Sequence, residues 1–401
     1  MKVILINPVC GQGSTGRICQ GIADMLRAKG HEAYIAFGLG KTNYIGCYNF
    51  SSGRLDYLSH NILSRLTDSE GLHSTNATKR LIKWIESIKP DVVHLHTLHG
   101  HYINYKILLQ YLYKSNVKVV MTLHDCWAFT GRCAHFDQYG CNKWQTECNK
   151  CKHLYAYPCT WFIDRSKHNY RLKKKLFTQF GKKITIVPVS YWLEGLVRKS
   201  FLKDLPIQTL HNGIDLSQFH PIINESLYEQ YNIRGKKIVL GVALPWSSYK
   251  GFPDFLKLRE ILSDDYAIIM VGLSEQQITE LPQGIIGILR TSSTKQLAEL
   301  YTIADVLVNT TYCDNYPTVN LEAIACGTPV ITYKTGGSPE AINKDTGIIV
   351  SQGNLNELVN AIYSITNKEK SFISMKCVSY AKEYFDKNKC FDMYMKIFEA
   401  K

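Results

Sequence analysis

The sequence lacks both long hydrophobic runs and low-complexity segments. No apolar stretch approaches the roughly 20 residues of a membrane-spanning helix, so we expect no integral membrane protein. Hydrophobic residues make up 45% of the 401 residues, which is typical of a chain folded throughout. A chain of this length rarely forms a single core, so we expect two domains.

We expect that the N-terminal residues do not form a secretory signal peptide. The opening run M-K-V-I-L-I-N is too short and becomes polar too soon for such a signal, and it is typical of a first core strand. We therefore expect a cytoplasmic protein whose 13 cysteines are reduced or bound to metal.

Acidic residues are nearly absent from residues 165–203. The segment has eleven Lys or Arg and one acid, Glu194, and it supplies most of the net charge of +13. Such a basic helix can lie on an anionic membrane surface, or it can be a solvated helix whose apolar residues face the core. No nucleic-acid recognition module accompanies it, so we expect no nucleic-acid partner. The interleaved apolar residues include Tyr170, Leu176, Phe177 and Phe180.

The most informative segment runs from Asp314 to Glu322, with the sequence D-N-Y-P-T-V-N-L-E. Pro317 suits the first position of a helix, which we expect from Val319 to Cys326. Unpaired amides near Thr318 would form a site for phosphate oxygens. Glu322 can accept hydrogen bonds from the two vicinal hydroxyls of a ribose. Taken singly, either acid is better explained as an ordinary residue, Asp314 as a turn former and Glu322 as a helix residue.

Two further motifs follow, A-I-A-C-G-T-P-V from Ala323 and G-G-S-P-E from Gly336. With them, the sequence resembles the retaining glycosyltransferases of family four, which have the GT-B fold. The family has a glutamate, seven residues and a second glutamate; here Asp314 replaces the first and Glu322 matches the second. The aspartate form is similar to a branch that makes bacterial capsule, colanic-acid-like and other exopolysaccharides.

The resemblance implies an α/β protein with two Rossmann-like, doubly wound parallel-sheet domains facing a cleft. We expect an acceptor-side domain over residues 1–208, which includes a cysteine-rich insert at about 126–160. A nucleotide-sugar domain would follow over 209–380. A C-terminal helix over 381–401 would pack back on the first domain.

The resemblance also implies a donor site for a UDP- or GDP-sugar. Lys250, before Gly251, resembles the diphosphate-binding lysine of the family, but Pro245 stands where the family usually has an arginine. The residues predicted to bind the donor are Gly16, Lys250, Asn315, Tyr316, Pro317, Thr318, Val319 and Glu322.

Histidines follow two predicted strands of the first domain, one opening at Asp91 and one over Val117–Leu123. His96, His99 and His124 would then lie where parallel sheets bind ligands. His96 and His99 are equally well explained as structural histidines. In the resembled family a histidine at the position of His124 lies beside the sugar, and we expect His124 and Asp314 to be the catalytic pair that positions it.

A glycine-bearing loop over residues 8–17, P-V-C-G-Q-G-S-T-G-R, follows the first strand. Glycines permit close approach of the backbone to a ligand, although the spacing differs from a dinucleotide-binding fingerprint. In the resembled family the corresponding loop faces the cleft. The residues expected on the acceptor side are Gly13, Arg17, His96, His99 and Asp125.

Four cysteines have the spacing C-x7-C-x6-C-x2-C: Cys133, Cys141, Cys148 and Cys151. The C-x2-C end is typical of tetrahedral zinc sites. A polar, turn-rich loop of this kind cannot bury much, so a structural zinc would order it. The alternative is a set of reduced packing cysteines.

These features predict a retaining hexosyltransferase of cell-surface polysaccharide biosynthesis. It would transfer a hexose from a nucleotide sugar to a lipid-linked or oligosaccharide acceptor, at times on the inner face of the cell membrane. The front-face mechanism usually described for the family needs no catalytic metal, which agrees with the lack of an Asp-x-Asp motif. The alternatives are a sugar-phosphate synthase or phosphorolytic enzyme on the same fold, and a non-catalytic module that binds membranes through residues 165–203.

Overall fold

The computed structural model describes residues 1–400 and divides the chain into two compact units. Unit 1 comprises residues 1–211 and those from Phe391 onward, and unit 2 comprises Asn212–Cys390. Each unit contains one six-stranded sheet in which every pairing is parallel. The predicted α/β class is confirmed in both units.

Strands and helices alternate along unit 1. The strands are β1 (Lys2–Asn7), β2 (Glu32–Phe37), β3 (Cys47–Asn49), β4 (Val92–Leu95), β5 (Lys118–Leu123) and β6 (Ile184–Pro188). The helices are α1 (Gly13–Ala28), α2 (Arg54–Thr67), α3 (Thr75–Ile88), α4 (Tyr105–Lys114), α5 (Ser166–Thr178) and α6 (Tyr191–Val197). β1, β4 and β5 are almost completely buried. Their Val- and Ile-rich sequences are those of parallel strands covered on both faces.

Unit 2 repeats the pattern. Its strands are β7 (Lys237–Val242), β8 (Tyr266–Val271), β9 (Ile285–Ile288), β10 (Val306–Asn309), β11 (Val330–Tyr333) and β12 (Gly347–Val350). Its helices are α7 (Ser226–Gln230), α8 (Phe252–Ile261), α9 (Glu275–Thr279), α10 (Thr294–Ile303), α11 (Thr318–Ala325), α12 (Leu355–Thr366) and α13 (Lys370–Tyr384). The last helix, α14 (Lys387–Glu399), begins in unit 2 and continues in unit 1.

The two sheets have the same topology. Their strand orders are β3-β2-β1-β4-β5-β6 and β9-β8-β7-β10-β11-β12, which are both 3-2-1-4-5-6 when counted within the unit. In such doubly wound sheets the order reverses beside the first strand, and ligands bind beyond the carboxyl ends of the strands at that point. The ends of β1 and β4 in unit 1, and of β7 and β10 in unit 2, are therefore the places for functional residues.

The structure corrects two local predictions. The run from Ile207 to Asp215, I-Q-T-L-H-N-G-I-D, predicts a further strand, but the segment makes only isolated bridges, to Ile186 and to Asp386. The N–H groups of Gln208 and Leu210 donate to carbonyls of β6. Beyond them, a Cβ on Gly213 would lie 2.6 Å from the Cα of Lys387, so the chain there packs against the start of α14. The expected loop over residues 8–17 is shorter than predicted, because α1 already begins at Gly13.

The C-terminal segment packs on the sheet of unit 1. The hydroxyl groups of Tyr394 and Thr122 lie 2.9 Å apart. The ring of Phe391 occupies the space beside Gly21, where a Cβ would approach it to 2.5 Å. Among the helices of residues 1–400, none has the length and hydrophobicity needed to cross a bilayer.

The cysteine-rich insert has an apolar core of its own. Phe129, Phe136 and Trp144 are buried and their rings pack within 6.4 Å of one another. The expectation that this loop could bury little is therefore wrong. Aromatic residues spaced along three short 3-10 turns converge although no regular element connects them.

Candidate functional site

Lys250 and Asp314 form an ion pair in unit 2. The Nζ atom of Lys250 lies 2.7 Å from Oδ2 of Asp314, and about a quarter of each side chain is exposed (26% and 23%). Burial alone would lower the pKa of Lys250, but the Asp314 carboxylate outweighs burial and raises it. The lysine is therefore a fixed positive charge that remains accessible from solvent.

Lys250 is positioned by a turn that packs on the segment after β10. The backbone N–H of Tyr312 donates to the carbonyl of Tyr249 at 2.7 Å. Gly251 has a φ of +78°, and a Cβ there would lie 2.0 Å from Oγ1 of Thr310. Only glycine allows this close approach, which brings the end of the β7 loop against the end of β10.

Asp314 is held from the other side by Gly336, the first glycine of G-G-S-P-E. Gly336 has a φ of +54°, and a Cβ there would lie 1.8 Å from the Asp314 carbonyl oxygen. The motif thus has a physical explanation, since any side chain would displace the loop that carries Asp314.

Helix α11 begins at Thr318 and ends at Ala325, one residue earlier at each end than predicted. Pro317 is not the first helical residue but the N-cap, because its ψ of 120° is extended. Pro317 offers no side-chain cap, so the first-turn amides at Thr318 and Val319 are directed away from the helix where an anion can bind.

Glu322 is buried in the second turn of α11, with 4% of its surface exposed. The hydroxyl of Tyr301, on α10, donates a hydrogen bond to Oε2 of Glu322 at 2.9 Å. Tyr301 fixes the carboxylate orientation. Sequence reasoning missed it because a single tyrosine 21 residues upstream carries no motif.

Asn315 and Tyr316, both predicted to bind the donor, are buried within unit 2. Burial raises the pKa of the Tyr316 hydroxyl well above its usual value.

In unit 1, His96 and His124 follow β4 and β5 directly, as the sequence predicted. The Nδ1 atom of His96 lies 2.9 Å from Nε2 of His124, and the rings stack with 5.2 Å between their centroids. Burial lowers the pKa of His124 to about 4 and that of His96 well below its usual range. Both imidazoles are therefore neutral near pH 7, and the N–H of one donates a hydrogen bond to the ring nitrogen of the other.

Asp125 and His99 form a second pair beside them. Nε2 of His99 lies 2.7 Å from Oδ2 of Asp125, and its Nδ1 lies 3.1 Å from the hydroxyl of Tyr157. Burial would raise the pKa of Asp125, but His99 outweighs burial and the pKa falls to about 2. His96, His99, His124 and Asp125 therefore form one cluster at the carboxyl edge of the sheet.

The remaining predicted residues of unit 1 lie on α1. Gly16 is buried, and a Cβ there would lie 3.1 Å from the Val9 side chain. Gly13 has open space around it, and Arg17 is exposed.

The four predicted metal ligands line one cavity of about 300 Å³ within the insert. The thiols of Cys133 and Cys151 hydrogen-bond to each other, and the Gly131 N–H donates to the Cys148 sulfur at 3.2 Å. Within residues 1–400, no three of these sulfurs lie within 4.8 Å of one another. A tetrahedral zinc thiolate site brings the sulfurs to about 3.8 Å, so the four thiols share one cavity without forming a closed tetrahedral site.

A buried arginine that sequence reasoning missed ties the insert to unit 1. Arg132 donates to Oδ1 of Asp68 at 3.0 Å and to three backbone carbonyls. This network holds the insert against the C-terminal end of α2.

In α5 the apolar residues singled out from the sequence face the core. Tyr170, Leu176 and Phe177 are buried, as is Phe180 just after the helix. They are not available to insert into a bilayer, and α5 has instead a solvated basic face, the second of the two interpretations given above.

Two family models match the chain. Glycosyltransferase Family 4 matches residues 15–218, and Glycosyl transferases group 1 matches residues 224–384. The putative colanic acid biosynthesis glycosyl transferase WcaC of Escherichia coli (strain K12) is 25% identical over 374 residues, covering 90% of this chain and 89% of that protein. A Campylobacter jejuni N,N'-diacetylbacillosaminyl-diphospho-undecaprenol alpha-1,3-N-acetylgalactosaminyltransferase is 28% identical over 200 residues, covering 47% of this chain and 52% of that protein.

Solved structures with the same fold cover the whole chain. Sucrose-phosphate synthase from Thermosynechococcus elongatus has a TM-score of 0.74 at 15% identity, with 100% of both chains covered. Anabaena HepE in complex with UDP-glucose has a TM-score of 0.68 at 15% identity, with 99% of both chains covered. These likenesses confirm the predicted GT-B fold. With a family model over more than half of its length, the chain belongs to glycosyltransferase family 4 and is a glycosyltransferase whose relatives act in polysaccharide biosynthesis.

Proposed function

We propose that the protein is a retaining hexosyltransferase that uses a UDP- or GDP-sugar and a lipid-linked or oligosaccharide acceptor in cell-surface polysaccharide biosynthesis. The observation that carries the proposal is the grouping of Lys250, Asp314 and the first turn of α11 beyond the ends of β7 and β10. The names of relatives that act in colanic acid biosynthesis and on a diphospho-undecaprenol acceptor support it.

Unit 2 would bind the donor. The Lys250 ammonium and the amides of Thr318 and Val319 would stabilise the negative charge that develops on the diphosphate leaving group. Glu322, oriented by Tyr301, would accept hydrogen bonds from the ribose hydroxyls. Asp314 would hold Lys250 in place and orient the transferred sugar.

Unit 1 would recognise the acceptor. The neutral His124 can donate or accept a hydrogen bond to a sugar hydroxyl, and His96 fixes its tautomer. The Asp125–His99 pair lies beside it and offers a second polar group. Gly13 and Arg17, at the start of α1, would complete this side.

Retention follows from the front-face mechanism of the resembled family. The leaving-group oxygen would take the acceptor proton, so no protein nucleophile is needed. The positive groups around the diphosphate would accelerate the reaction. They would stabilise the negative charge that grows on the diphosphate as the glycosidic bond breaks.

A donor screen tests this proposal. Purified protein is examined by thermal shift and by slow hydrolysis with UDP-, GDP- and ADP-sugars, and we expect one nucleotide class to raise the melting temperature. Ligand at 100 times its Kd adds about 2.7 kcal/mol of stability. The anomeric configuration of the product, read by proton NMR, tests retention. If no nucleotide sugar stabilises the protein or is turned over, the donor site is wrong; an inverted product contradicts only the mechanism.

We propose separately that the cysteine insert binds a structural zinc ion through Cys133, Cys141, Cys148 and Cys151. The support is the cavity that the four cysteines share and the direct interaction of the Cys133 and Cys151 thiols. Elemental analysis of protein purified without chelator tests this. We expect about one zinc atom per chain, and only trace zinc would overturn the proposal.

A further inference from the structure

Helix α2 is oriented with its apolar side toward solvent. Its buried residues are His60 and Ser64, both polar. Its exposed large residues recur at i, i+3, i+7, i+8 and i+11, which is one face of a helix. These residues are Leu55, Leu58, Ile62, Leu63 and Leu66.

Buried polar contacts fix this orientation. Nδ1 of His60 lies 2.8 Å from Oγ of Ser74, and Nε2 accepts from the Gly71 N–H at 3.2 Å. At the C-terminal end of α2, Asp68 accepts from the Arg165 N–H at 2.8 Å and pairs with Arg132. Rotating the helix to bury its leucines would break these bonds, each of which costs about 1–3 kcal/mol when a buried group is left unpaired.

An aromatic loop extends the same surface. The backbone N–H of Trp161 donates to the backbone carbonyl of Arg65 at 2.8 Å, and the Arg65 guanidinium lies 5.9 Å from the Trp161 ring centroid. Around this anchor, Tyr155 and Phe162 are 85% and 77% exposed, and Ile163 is also exposed. Monomeric proteins rarely expose so many contiguous apolar side chains unless the surface binds something.

Positive charge borders this surface. Arg54 and Arg65 stand near the ends of α2, and Arg165 begins the basic face of α5. Residues 150–183 contain ten Lys or Arg and one acid, Asp164. Lys173 is buried, and Lys167 and Arg171 pair with Glu147, so seven basic groups remain. A two-fold dimer through this face would bring the same basic borders together, whereas anionic lipid headgroups would neutralise them.

We propose that α2 and the loop 155–163 form a docking surface for an anionic phospholipid bilayer. The leucines and Phe162 would enter the headgroup and upper acyl region, Trp161 and Tyr155 would lie at the interface, and the basic groups would pair with lipid phosphates. The proposal does not depend on the donor site of unit 2, and it assigns membrane contact to a different surface from the apolar side of α5.

Vesicle flotation tests it with the full chain. Vesicles of phosphatidylcholine alone are compared with vesicles containing 30% phosphatidylglycerol, without nucleotide sugar. We expect the wild type to float with the anionic vesicles and the variant Leu55→Ser/Leu58→Ser/Ile62→Ser to bind at least tenfold more weakly. The matched control is Ile223→Ser/Ile261→Ser/Leu289→Ser, which changes three exposed apolar residues of unit 2 and should bind like the wild type.

Thermal shift with UDP-glucose and with a GDP-sugar separates this proposal from the proposed function. The α2 variant should show the same nucleotide-sugar stabilisation as the wild type. Phe162→Ser serves as a second variant if the triple change prevents folding. The proposal is overturned if the wild type does not float with the anionic vesicles. It is also overturned if both the α2 variant and the loop variant bind them as tightly as the wild type does. Sedimentation showing a dimer that the α2 variant abolishes, without vesicle binding, would assign the surface to a second copy.

Discussion

The ammonium of Lys250 lies 2.7 Å from the carboxylate of Asp314, although 64 residues separate them in the chain. Each follows a different strand of the unit 2 sheet, and two glycines, Gly251 and Gly336, permit the close packing that brings them together. The pair holds a positive charge at a fixed point beside the first turn of α11.

Replacing Lys250 with methionine should keep most of its volume and remove that charge. If Lys250 stabilises the diphosphate leaving group, kcat for hydrolysis or transfer should fall by about 10²–10³-fold. Lys257→Met, at an exposed position of α8 in the same unit, is the matched control and should keep activity within about twofold. Equal activities of the two variants would exclude Lys250 from the reaction.

Asp314→Asn should remove the ion pair and leave Lys250 without its anionic partner. We expect the free energy of unfolding of unit 2 to fall by roughly 1–2 kcal/mol, together with a large loss of activity. The double variant Lys250→Met/Asp314→Asn should be less destabilised than the sum of the two single changes, because the residues are in contact. Strict additivity in urea unfolding would show that the pair is not coupled.

Glu322→Gln should weaken nucleotide binding while leaving the helix in place. A lost hydrogen bond to a charged group costs about 1.5–3 kcal/mol, so Kd for the free nucleoside diphosphate should rise by about 10–100-fold in calorimetry. Tyr301→Phe removes only the bond that orients the carboxylate and should raise Kd by a smaller factor. Unchanged binding in Glu322→Gln, with a wild-type melting temperature, would remove Glu322 from the donor site.

Much of the sheet could be predicted because its strands are short Val- and Ile-rich runs separated by polar segments. The run from Ile207 resembled these strands but was not one, since Gly213 packs against Lys387 at a distance in sequence that periodicity cannot reveal. Hydrophobic pattern alone could not decide between the two interpretations of α5, whose apolar residues are core residues in the structure. It did not reveal α2, whose polar side is the buried one.

The site residues predicted from the sequence were those carried by motifs. His96 and His124 were found because they follow strands, and the structure adds that they contact each other. Tyr301 and Arg132 were missed because neither belongs to a motif, and their roles depend entirely on which side chains the fold brings near them.

Gly336→Ala should disrupt the loop of Asp314. The effect should be larger than that of placing alanine at a position where a positive φ is the only obstacle. The added Cβ would meet the Asp314 carbonyl oxygen at 1.8 Å, so the loop must move and Lys250 should lose its partner. Gly235 also has a positive φ, +79°, but a Cβ there would meet nothing within 4 Å. Gly235→Ala should therefore lower the free energy of unfolding by only about 1–2 kcal/mol. We expect activity to be nearly abolished in Gly336→Ala and retained in Gly235→Ala; similar activities would show that the contact does not position Asp314.

Acid should destabilise unit 1 before its carboxylates titrate. Burial lowers the pKa of His60 and His94 to about 3 and that of His124 to about 4, all below the unfolded value near 6.5. Between pH 6.5 and 4 the unfolded chain therefore binds more protons, so this stability is complete above pH 6.5 and is lost as the pH falls. Asp125, with a pKa of about 2, contributes only at lower pH.

Urea unfolding between pH 7.5 and 5 measures this effect. Each buried histidine should contribute a slope approaching about 1.4 kcal/mol per pH unit below pH 6.5. In His94→Gln the glutamine can still hydrogen-bond to Thr122, which lies 2.8 Å from His94. The slope of unfolding free energy against pH should fall by the contribution of one histidine. His220→Gln, at an exposed position, is the control and should keep the wild-type slope. A wild-type stability that is flat from pH 7 to 5 would contradict the prediction, because it would require these imidazoles to be protonated equally in the folded and unfolded chains.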